Sequence, residues 1–422
     1  MDYIDCMKKE LIPAFGCTEP IALAYAAAKG SEVLGEKPEK IIARLSGNMI
    51  KNANSVKVPG TDGRKGIKIS LVAGAMYGNA EKELQVLEGI DKSKLDEADR
   101  LIENGIVEMF LVPDVPNLYI EIEEIKGNNH SKVRVEKDHT NITLIEKNGK
   151  VIYENKYDPS KDEDVDFSFD KIYNFAKNSD YSDVLYILKE QVQYNMDIAK
   201  EGIENNWGSN IGSIVLETNP DDFVERMVAY ASAGSDARMS GCEKPVVINS
   251  GSGNQGITVA VPIVMFAEKN NYSDNELYRA LIFANLIGLY LKQGIGKLSA
   301  YCGVVSASSA SVAGIAFLEN ADEDIIKSTL VNALAVNSGL ICDGAKPSCA
   351  MKIASSLRNA FLAYEQAKTE NSFRSGDGIV KPTLEETIKT VSRIAKYGMK
   401  ETDEVILNEM LGNEEYLKNY KF

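Results

Sequence analysis

Residues 141–155 read NITLIEKNGKVIYEN, and two runs within this stretch alternate apolar with polar side chains. A period of two places the apolar side chains on one face of a β-strand. Asn148 and Gly149 lie between the two runs, and an Asn-Gly pair favours the tight turn of a β-hairpin because both residues tolerate a positive φ. The stretch therefore predicts a hairpin.

The same period continues upstream, in residues 118–125 (LYIEIEEI) and 132–137 (KVRVEK). Together these runs predict a small antiparallel sheet over residues 105–157, with one face in contact with solvent. The acidic, turn-forming residues 158–166 (DPSKDEDVD) then predict a linker out of the sheet.

Beyond the linker the pattern becomes helical, and small residues in one of the helices indicate close packing around a crowded centre. The small residues are Ser306, Ala307, Ser308, Ser309, Ala310 and Gly314. We therefore predict an α+β fold: a mostly helical domain (residues 1–40 and 160–422), which carries the chemistry, and a smaller β-rich (α/β) module (residues 41–159).

Another helix is predicted near the start of the chain, over residues 19–35 (EPIALAYAAAKGSEVLG), which are rich in Ala and Leu. Thr18 is a good N-cap, and Pro20 stands where a first-turn proline is tolerated. The Asn- and Gly-rich residues 45–63 predict strand and loop.

The composition excludes several classes of function. Hydrophobic residues make up 44% and charged residues 26% of the chain, and the net charge is −15. An acidic protein lacks the basic face that nucleic acids and anionic membranes require. The longest apolar runs, residues 257–267 and 280–291, are shorter than the roughly 20 residues that span a bilayer, so we expect buried core helices. The polar first residues resemble no signal peptide.

Six cysteines in 422 residues are too few for a disulfide scaffold, so we expect reduced thiols and a cytoplasmic protein. The two histidines, His130 and His139, lie in the strand-rich segment, and we expect them on the surface or on a strand face. Metal sites and serine triads that depend on histidine are correspondingly disfavoured.

Cys302, Cys342 and Cys349 are separated by 40 and then 7 positions, in glycine-containing breaks at helix ends. Three thiolates can bind three irons of a 4Fe-4S cluster and leave the fourth iron open to a substrate. Zinc is an alternative, although a fourth ligand at short spacing is missing. Cysteine is also a common buried apolar residue, so the spacing alone leaves these readings open.

Cys17 precedes the first long helix, where the helix dipole and free N–H groups favour a thiolate. We expect a lowered pKa there and a thiol that can act as a base; a buried structural thiol is the alternative.

Residues 248–262 (INSGSGNQGITVAVP) place a glycine-rich turn before an apolar helix. Its N–H groups can hold a carboxylate or a phosphate, and an ordinary turn is the alternative. The turn is also similar to one in pyridoxal-phosphate lyases, but no lysine for a Schiff base lies between Glu217 and Gly241.

Four motifs together carry a resemblance to a known family: residues 13–29 (PAFGCTEPIALAYAAAK), 47–61 (GNMIKNANSVKVPGT), 248–256 (INSGSGNQG) and 342–352 (CDGAKPSCAMK). The chain resembles the iron–sulfur L-cysteine desulfidases, relatives of the bacterial iron–sulfur L-serine dehydratases. The resemblance implies a carbon–sulfur lyase of cysteine catabolism that converts L-cysteine to pyruvate, ammonia and hydrogen sulfide without net redox chemistry.

By this resemblance, Cys302, Cys342 and Cys349 ligate a 4Fe-4S cluster whose open iron is a Lewis acid, and the Cys17 thiolate is the base. For the substrate we expect contacts from two motifs, with Glu19 as a further candidate for the amino group. The expected substrate-binding residues are Asn48, Lys51, Asn52, Ser250, Ser252, Asn254 and Gln255.

Two other functions stay open from the sequence: an L-serine dehydratase, and a cluster-binding sensor or sulfide-trafficking protein without turnover. A thiolate suits a soft iron better than a hydroxyl does, which favours cysteine as the substrate. The expected partner is a small amino acid, without nucleic acid or membrane, and a homodimer is left open.

Overall fold

The computed structural model describes residues 1–155 and 165–413 of the chain. It confirms the α+β class, with helices as the dominant element and one mixed sheet. The predicted linker at residues 158–166 lies outside the described residues except for its last two positions. The helices are α1 (Tyr3–Glu10), α2 (Thr18–Leu34), α3 (Gly47–Ala53), α4 (Ile67–Tyr77), α5 (Leu95–Glu103), α6 (Phe169–Asn178), α7 (Leu185–Glu204), α8 (Ile211–Thr218), α9 (Phe223–Met239), α10 (Gly253–Asn270), α11 (Asp274–Gln293), α12 (Gly303–Leu318), α13 (Glu323–Asn337), α14 (Ser348–Lys368), α15 (Leu384–Arg393) and α16 (Lys400–Leu411).

The strands form a six-stranded sheet and a separate two-stranded pair of β1 and β8. The six-stranded sheet has the order β3-β2-β4-β5-β6-β7. The strands are β1 (Pro13–Phe15), β2 (Lys40–Leu45), β3 (Val107–Leu111), β4 (Tyr119–Lys126), β5 (Asn129–Glu136), β6 (Ile142–Lys147), β7 (Lys150–Glu154) and β8 (Pro245–Val247).

The hairpin prediction is confirmed, because β6 and β7 pair antiparallel around Asn148 and Gly149. Both turn residues have a positive φ, 51° and 75°, as a two-residue hairpin requires. The prediction of a purely antiparallel sheet is wrong at one edge, since β2 joins the sheet and pairs parallel with β3. The intervening α3, α4 and α5 provide the crossover connection that a parallel pair needs.

One face of the sheet is covered by α2, which packs against β4 and β5. This helix begins at Thr18 with Cys17 as the N-cap, one residue earlier than predicted, and ends before Gly35 in a left-handed conformation. Residues 45–63 were expected to be strand and loop, but Gly47–Ala53 form α3. The reason is an N-cap at Ser46, whose hydroxyl accepts a hydrogen bond from the N–H of Met49 (3.3 Å).

The helical part is built around α12, which packs against α10, α11, α13 and α14. Nearly all of its residues are buried, as the small side chains predicted. The apolar runs 257–267 and 280–291 are the buried centres of α10 and α11. None of the helices in residues 1–155 and 165–413 combines the length and the apolar composition that a membrane crossing requires. The division into two domains stays a prediction.

Candidate active site

Three cysteines meet where α12 and α14 begin. Cys302 is the N-cap of α12, Cys349 lies in the first turn of α14, and Cys342 lies in the loop between α13 and α14. The N–H of Cys302 donates to the carbonyl of Leu340 (3.0 Å), and the N–H of Cys342 donates to the carbonyl of Ala300 (2.6 Å). These two bonds hold the segments of Cys302 and Cys342 side by side.

The three thiols line one cavity of about 80 Å³. A hydrogen bond between the sulfurs of Cys302 and Cys342 lowers the pKa of Cys342 to about 6 and raises that of Cys302 well above its usual value. Burial raises the pKa of Cys349 to about 11. The cavity is small beside the roughly 300–1,000 Å³ of pockets for drug-sized ligands, which favours a small substrate.

The loop that carries Cys342 is fastened to its surroundings by charged side chains. Asp343 forms a salt bridge with Lys352 of α14. Lys346 donates to the hydroxyl of Ser55 (2.5 Å), beyond the end of α3. Asp343 and Lys346 therefore fix the shape of the loop between the two cysteines.

The donor set fits an iron–sulfur cluster in its chemistry. Within the described ranges, no group of three or more His, Cys, Asp and Glu side chains is gathered to hold a single metal ion. An iron–sulfur cluster requires a different arrangement of ligands, because each thiolate binds a different iron and the sulfurs need not converge on one point. Three thiols on the wall of one cavity, one of them with a lowered pKa, meet that demand.

Cys17 differs from the sequence-based expectation. Its thiol is fully buried and lies 3.8 Å from the sulfur of Met239, with Cys349 packed against the same cluster. Met239 and Cys349 line the cavity, and Cys17 lies behind them. The expected lowering of its pKa is wrong for this structure: burial raises the pKa to about 12, and the positive charge of Arg238 offsets this only in part.

The glycine-rich turn precedes a long helix, as predicted. Asn249 and Ser252 exchange two backbone hydrogen bonds, and α10 begins directly after Ser252. Ser252, Asn254 and Gln255 line the cavity of the cysteines. Ser250 instead lines a neighbouring cavity of about 220 Å³. The structure therefore brings three of the four predicted residues of this motif to the thiols.

The other predicted substrate-binding motif is divided in the same way. Asn52 lines the cavity. Asn48 and Lys51 face α16, where the amide of Asn48 donates to Asp403 (2.9 Å) and the ammonium of Lys51 pairs with the same carboxylate. Lys51 also donates to the carbonyl of Cys342 (3.2 Å), so it fixes the cysteine loop from outside the cavity.

Sequence reasoning missed three cations that line the cavity: Arg238, Lys292 and Lys297. Arg238 and Lys292 are each only 3% exposed and lie near the C-terminal end of α9 and of α11 respectively. Both follow buried helical stretches, and a cation that continues a buried face is the signal that could have found them.

One histidine also contradicts the expectation. His139 is fully buried, and neither ring nitrogen has a hydrogen-bond partner among the described residues. The connection between β5 and β6 folds over the glycine-rich turn and brings the imidazole close to Gly251. A Cβ at position 251 would lie only 3.1 Å from the ring. Nearby, the hydroxyl of Thr18 donates to Glu19 (3.1 Å), which does line the cavity. His130 is half-buried on β5, as expected.

The sequence pattern of the serine dehydratase alpha chain family matches residues 81–408, a range that includes the three cysteines and the glycine-rich turn. The chain belongs to the serine dehydratase alpha chain family. This confirms the coarser part of the resemblance, namely the relation to serine dehydratases.

Close relatives share nearly the whole chain with this member of the family. It is 47% identical to a UPF0597 protein of Lachnoclostridium phytofermentans over 411 residues, which are 97% of this chain and 99% of the relative. A UPF0597 protein of Finegoldia magna is 44% identical over 414 residues, 97% of this chain and 99% of the relative. A UPF0597 protein of Desulfitobacterium hafniense is 44% identical over 413 residues, 97% and 96% of the two chains.

Proposed function

We propose that the protein is an L-cysteine desulfidase, a lyase that releases hydrogen sulfide from L-cysteine and leaves pyruvate and ammonia. In this proposal Cys302, Cys342 and Cys349 hold a 4Fe-4S cluster in a reducing cytoplasm. The observation that carries it is the single small cavity lined by the three thiols together with polar groups of the α10 turn. Membership in a dehydratase family supports an elimination reaction.

The reaction is a β-elimination whose electrons balance without an oxidant. The Cα–H electron pair forms the Cα–Cβ double bond, and the Cβ–S pair leaves with the sulfide. The resulting aminoacrylate becomes an imine, and water hydrolyses it to pyruvate and ammonia. When bound, a cluster with one iron free of protein ligands supplies a Lewis acid for the leaving group.

Cys17 is the proposed base that accepts the Cα proton. Its position behind Met239 supports this role only if the thioether moves aside, and methionine is the apolar side chain best suited to such a movement. Its ionisation also requires a nearby positive charge, because burial keeps the thiol protonated. The ammonium group of the substrate brings such a charge into the cavity, so we propose that substrate binding and deprotonation of Cys17 are coupled.

The test combines anaerobic reconstitution with iron and sulfide and parallel assays of L-cysteine and L-serine. We expect a brown protein with bound iron that releases pyruvate and sulfide in equal amounts from cysteine. Cys17→Ser should keep the iron and lose turnover, because a hydroxyl is a far weaker base than a thiolate. Cys242→Ala is the matched control, since Cys242 is buried away from the cavity and should retain both iron and activity.

Three results would contradict the proposal in different ways. A protein without iron after reconstitution contradicts the cluster. Full activity in Cys17→Ser contradicts the base, and Glu19, which lines the cavity, becomes the next candidate. A loaded protein that binds cysteine without releasing pyruvate is a sensor or a carrier.

L-serine dehydratase is the second candidate, and the family match favours it. The two activities differ only in the leaving atom, so the parallel assay separates them. A higher kcat/KM for serine than for cysteine would assign the dehydratase activity.

A further inference from the structure

The charges on the cavity wall do not balance. Three cationic side chains line it, Arg238, Lys292 and Lys297, against one carboxylate, that of Glu19. Lys297 is neutralised by Asp138 (2.6 Å) and by Glu10 (3.1 Å). Neither Arg238 nor Lys292 forms an ion pair with any carboxylate of the described residues. A buried cation without an anion is costly, which indicates that an anion belongs in the cavity.

Lys292 faces the cysteine cluster. Its ammonium lies near the sulfurs of Cys302 and Cys342, so it belongs to the side of the cavity where the proposed cluster would be held. Arg238 lies beside the α10 turn instead, and it is the cation there that has no carboxylate partner among the described residues.

Within residues 1–155 and 165–413, the groups that hold Arg238 in place are neutral. One terminal nitrogen donates to the carbonyl of Gly16 (2.8 Å), and the other donates to the side-chain oxygen of Asn254 (3.2 Å). Its Nε is buried and has no partner among the described residues. The guanidinium lies against the bare Cα of Gly253, where a Cβ would come within 2.3 Å of Nε.

The surroundings of Arg238 complete a site for a carboxylate. The residue lies beside the first turn of α10, a helix of 18 residues whose N-terminal N–H groups also attract anions. Ser252 and Gln255 add side-chain donors on the same wall. A guanidinium is the group best suited to bind a carboxylate through two hydrogen bonds.

We infer that Arg238 is a specificity-determining residue that binds the α-carboxylate of the substrate, so that the cavity accepts small α-amino acids and rejects the corresponding amines. This inference rests on the proposed function. It explains the arrangement of the site: a carboxylate at Arg238, which donates to the residue before Cys17, places Cα toward Cys17 and leaves the side chain directed to the three other thiols.

The test uses two non-reacting probes and measures their binding to the anaerobically reconstituted protein by calorimetry. 3-Mercaptopropionate keeps the thiol and the carboxylate of cysteine, and cysteamine keeps the thiol and the amine. We expect Arg238→Met to weaken 3-mercaptopropionate about 10- to 100-fold, as for the loss of a charge-assisted hydrogen-bonded pair. Cysteamine binding should change less than about 3-fold, since it has no carboxylate to lose.

Two further variants separate binding from structure. Arg226→Met makes the same chemical change on an exposed residue of α9 and should bind both probes like the unchanged protein. Arg238→Lys keeps the charge without the paired donors, so it should recover part of the affinity for 3-mercaptopropionate and raise KM for cysteine more than it lowers kcat.

Equal weakening of both probes by Arg238→Met, or unchanged binding of 3-mercaptopropionate, would overturn the inference. If this variant does not fold, the unchanged protein still decides: cysteamine must bind much more weakly than 3-mercaptopropionate. The proposed function fails separately, because a protein that binds the carboxylate through Arg238 and releases no pyruvate supports the inference and contradicts the lyase.

Discussion

The outer face of the sheet and the wall of the cavity both carry buried charges, but they differ in whether those charges have a partner of opposite charge. On the sheet, the buried carboxylate of Glu121 receives Arg134 (2.7 Å) and Arg44 (3.4 Å). In the cavity, Arg238 and Lys292 are equally buried and have no carboxylate partner among the described residues. Charges that stabilise a fold find partners within the chain, so charges without partners mark a place for a ligand.

The comparison predicts its largest effect at the thiols that complete the cavity. Cys342→Ser should lower iron content and activity by more than about 100-fold, because a hydroxyl does not replace a thiolate as an iron ligand. Iron analysis and the cysteine assay measure this, with Cys242→Ala as the control. Iron retained in Cys342→Ser would contradict the proposal that Cys342 is a ligand of the cluster.

A smaller effect is expected at Lys51. This residue lies next to the cavity, but, like the buried charge on the sheet, it has a partner of opposite charge within the chain. Its ammonium is 1% exposed and is paired with Asp403. Asp403→Ala leaves that charge buried alone and should lower the free energy of unfolding by about 3–5 kcal/mol in urea denaturation. The double variant Lys51→Met with Asp403→Leu removes both charges and should recover most of the loss. An equal loss in both variants would mean that packing, and not the unpaired charge, is responsible.

The sequence predicts those features that depend on local patterns. The period of two in residues 118–155 predicts the strands, and Asn148-Gly149 predicts their tightest turn. The glycine-containing breaks around Cys302, Cys342 and Cys349 made a shared cluster one of several interpretations, and the resemblance to a family favoured it over the others.

Arg238 and His139 show what local patterns cannot predict. Arg238 contacts Gly16, which is 222 positions away, and Asn254, which belongs to the next helix, and no local pattern around position 238 predicts these contacts. His139 is buried because the turn at Gly251 folds against it, a contact between two loops that have no common period. Chemistry assembled from distant loops depends on tertiary packing, so it became visible only in the structure.

The face of the sheet that α2 covers adds a third case, because one buried acid there has no cationic partner among the described residues. Glu124 accepts a hydrogen bond from the hydroxyl of Ser31 (2.7 Å), and burial raises its pKa to about 8. The carboxyl is therefore protonated in the folded protein and ionised above about pH 4.5 in the unfolded chain, so its stabilising contribution is lost as the pH rises from 4.5 through 8.

Glu124→Gln should remove this dependence, since an amide has no proton to lose. We expect the variant to gain on the order of 3 kcal/mol over the unchanged protein between pH 5 and pH 8, measured by urea denaturation at each pH. A constant difference across this range would show that Glu124 is not held neutral.

The smallest effect is expected where the partners are redundant. Arg134→Met removes one cation from Glu121, but Arg44 still reaches the same carboxylate and the site remains open to solvent on the arginine side. We expect a loss of less than about 1 kcal/mol in the free energy of unfolding, because the arginine of the pair is partly exposed and a second arginine remains. Arg238→Met makes the same chemical change in the cavity, where it should affect binding far more than folding. A different result would count against the comparison. If Arg134→Met lowered the free energy of unfolding as much as Asp403→Ala does, the loss of one ion-pair partner would be equally costly on the sheet and beside the cavity. The missing carboxylate partner of Arg238 would then no longer indicate a ligand site.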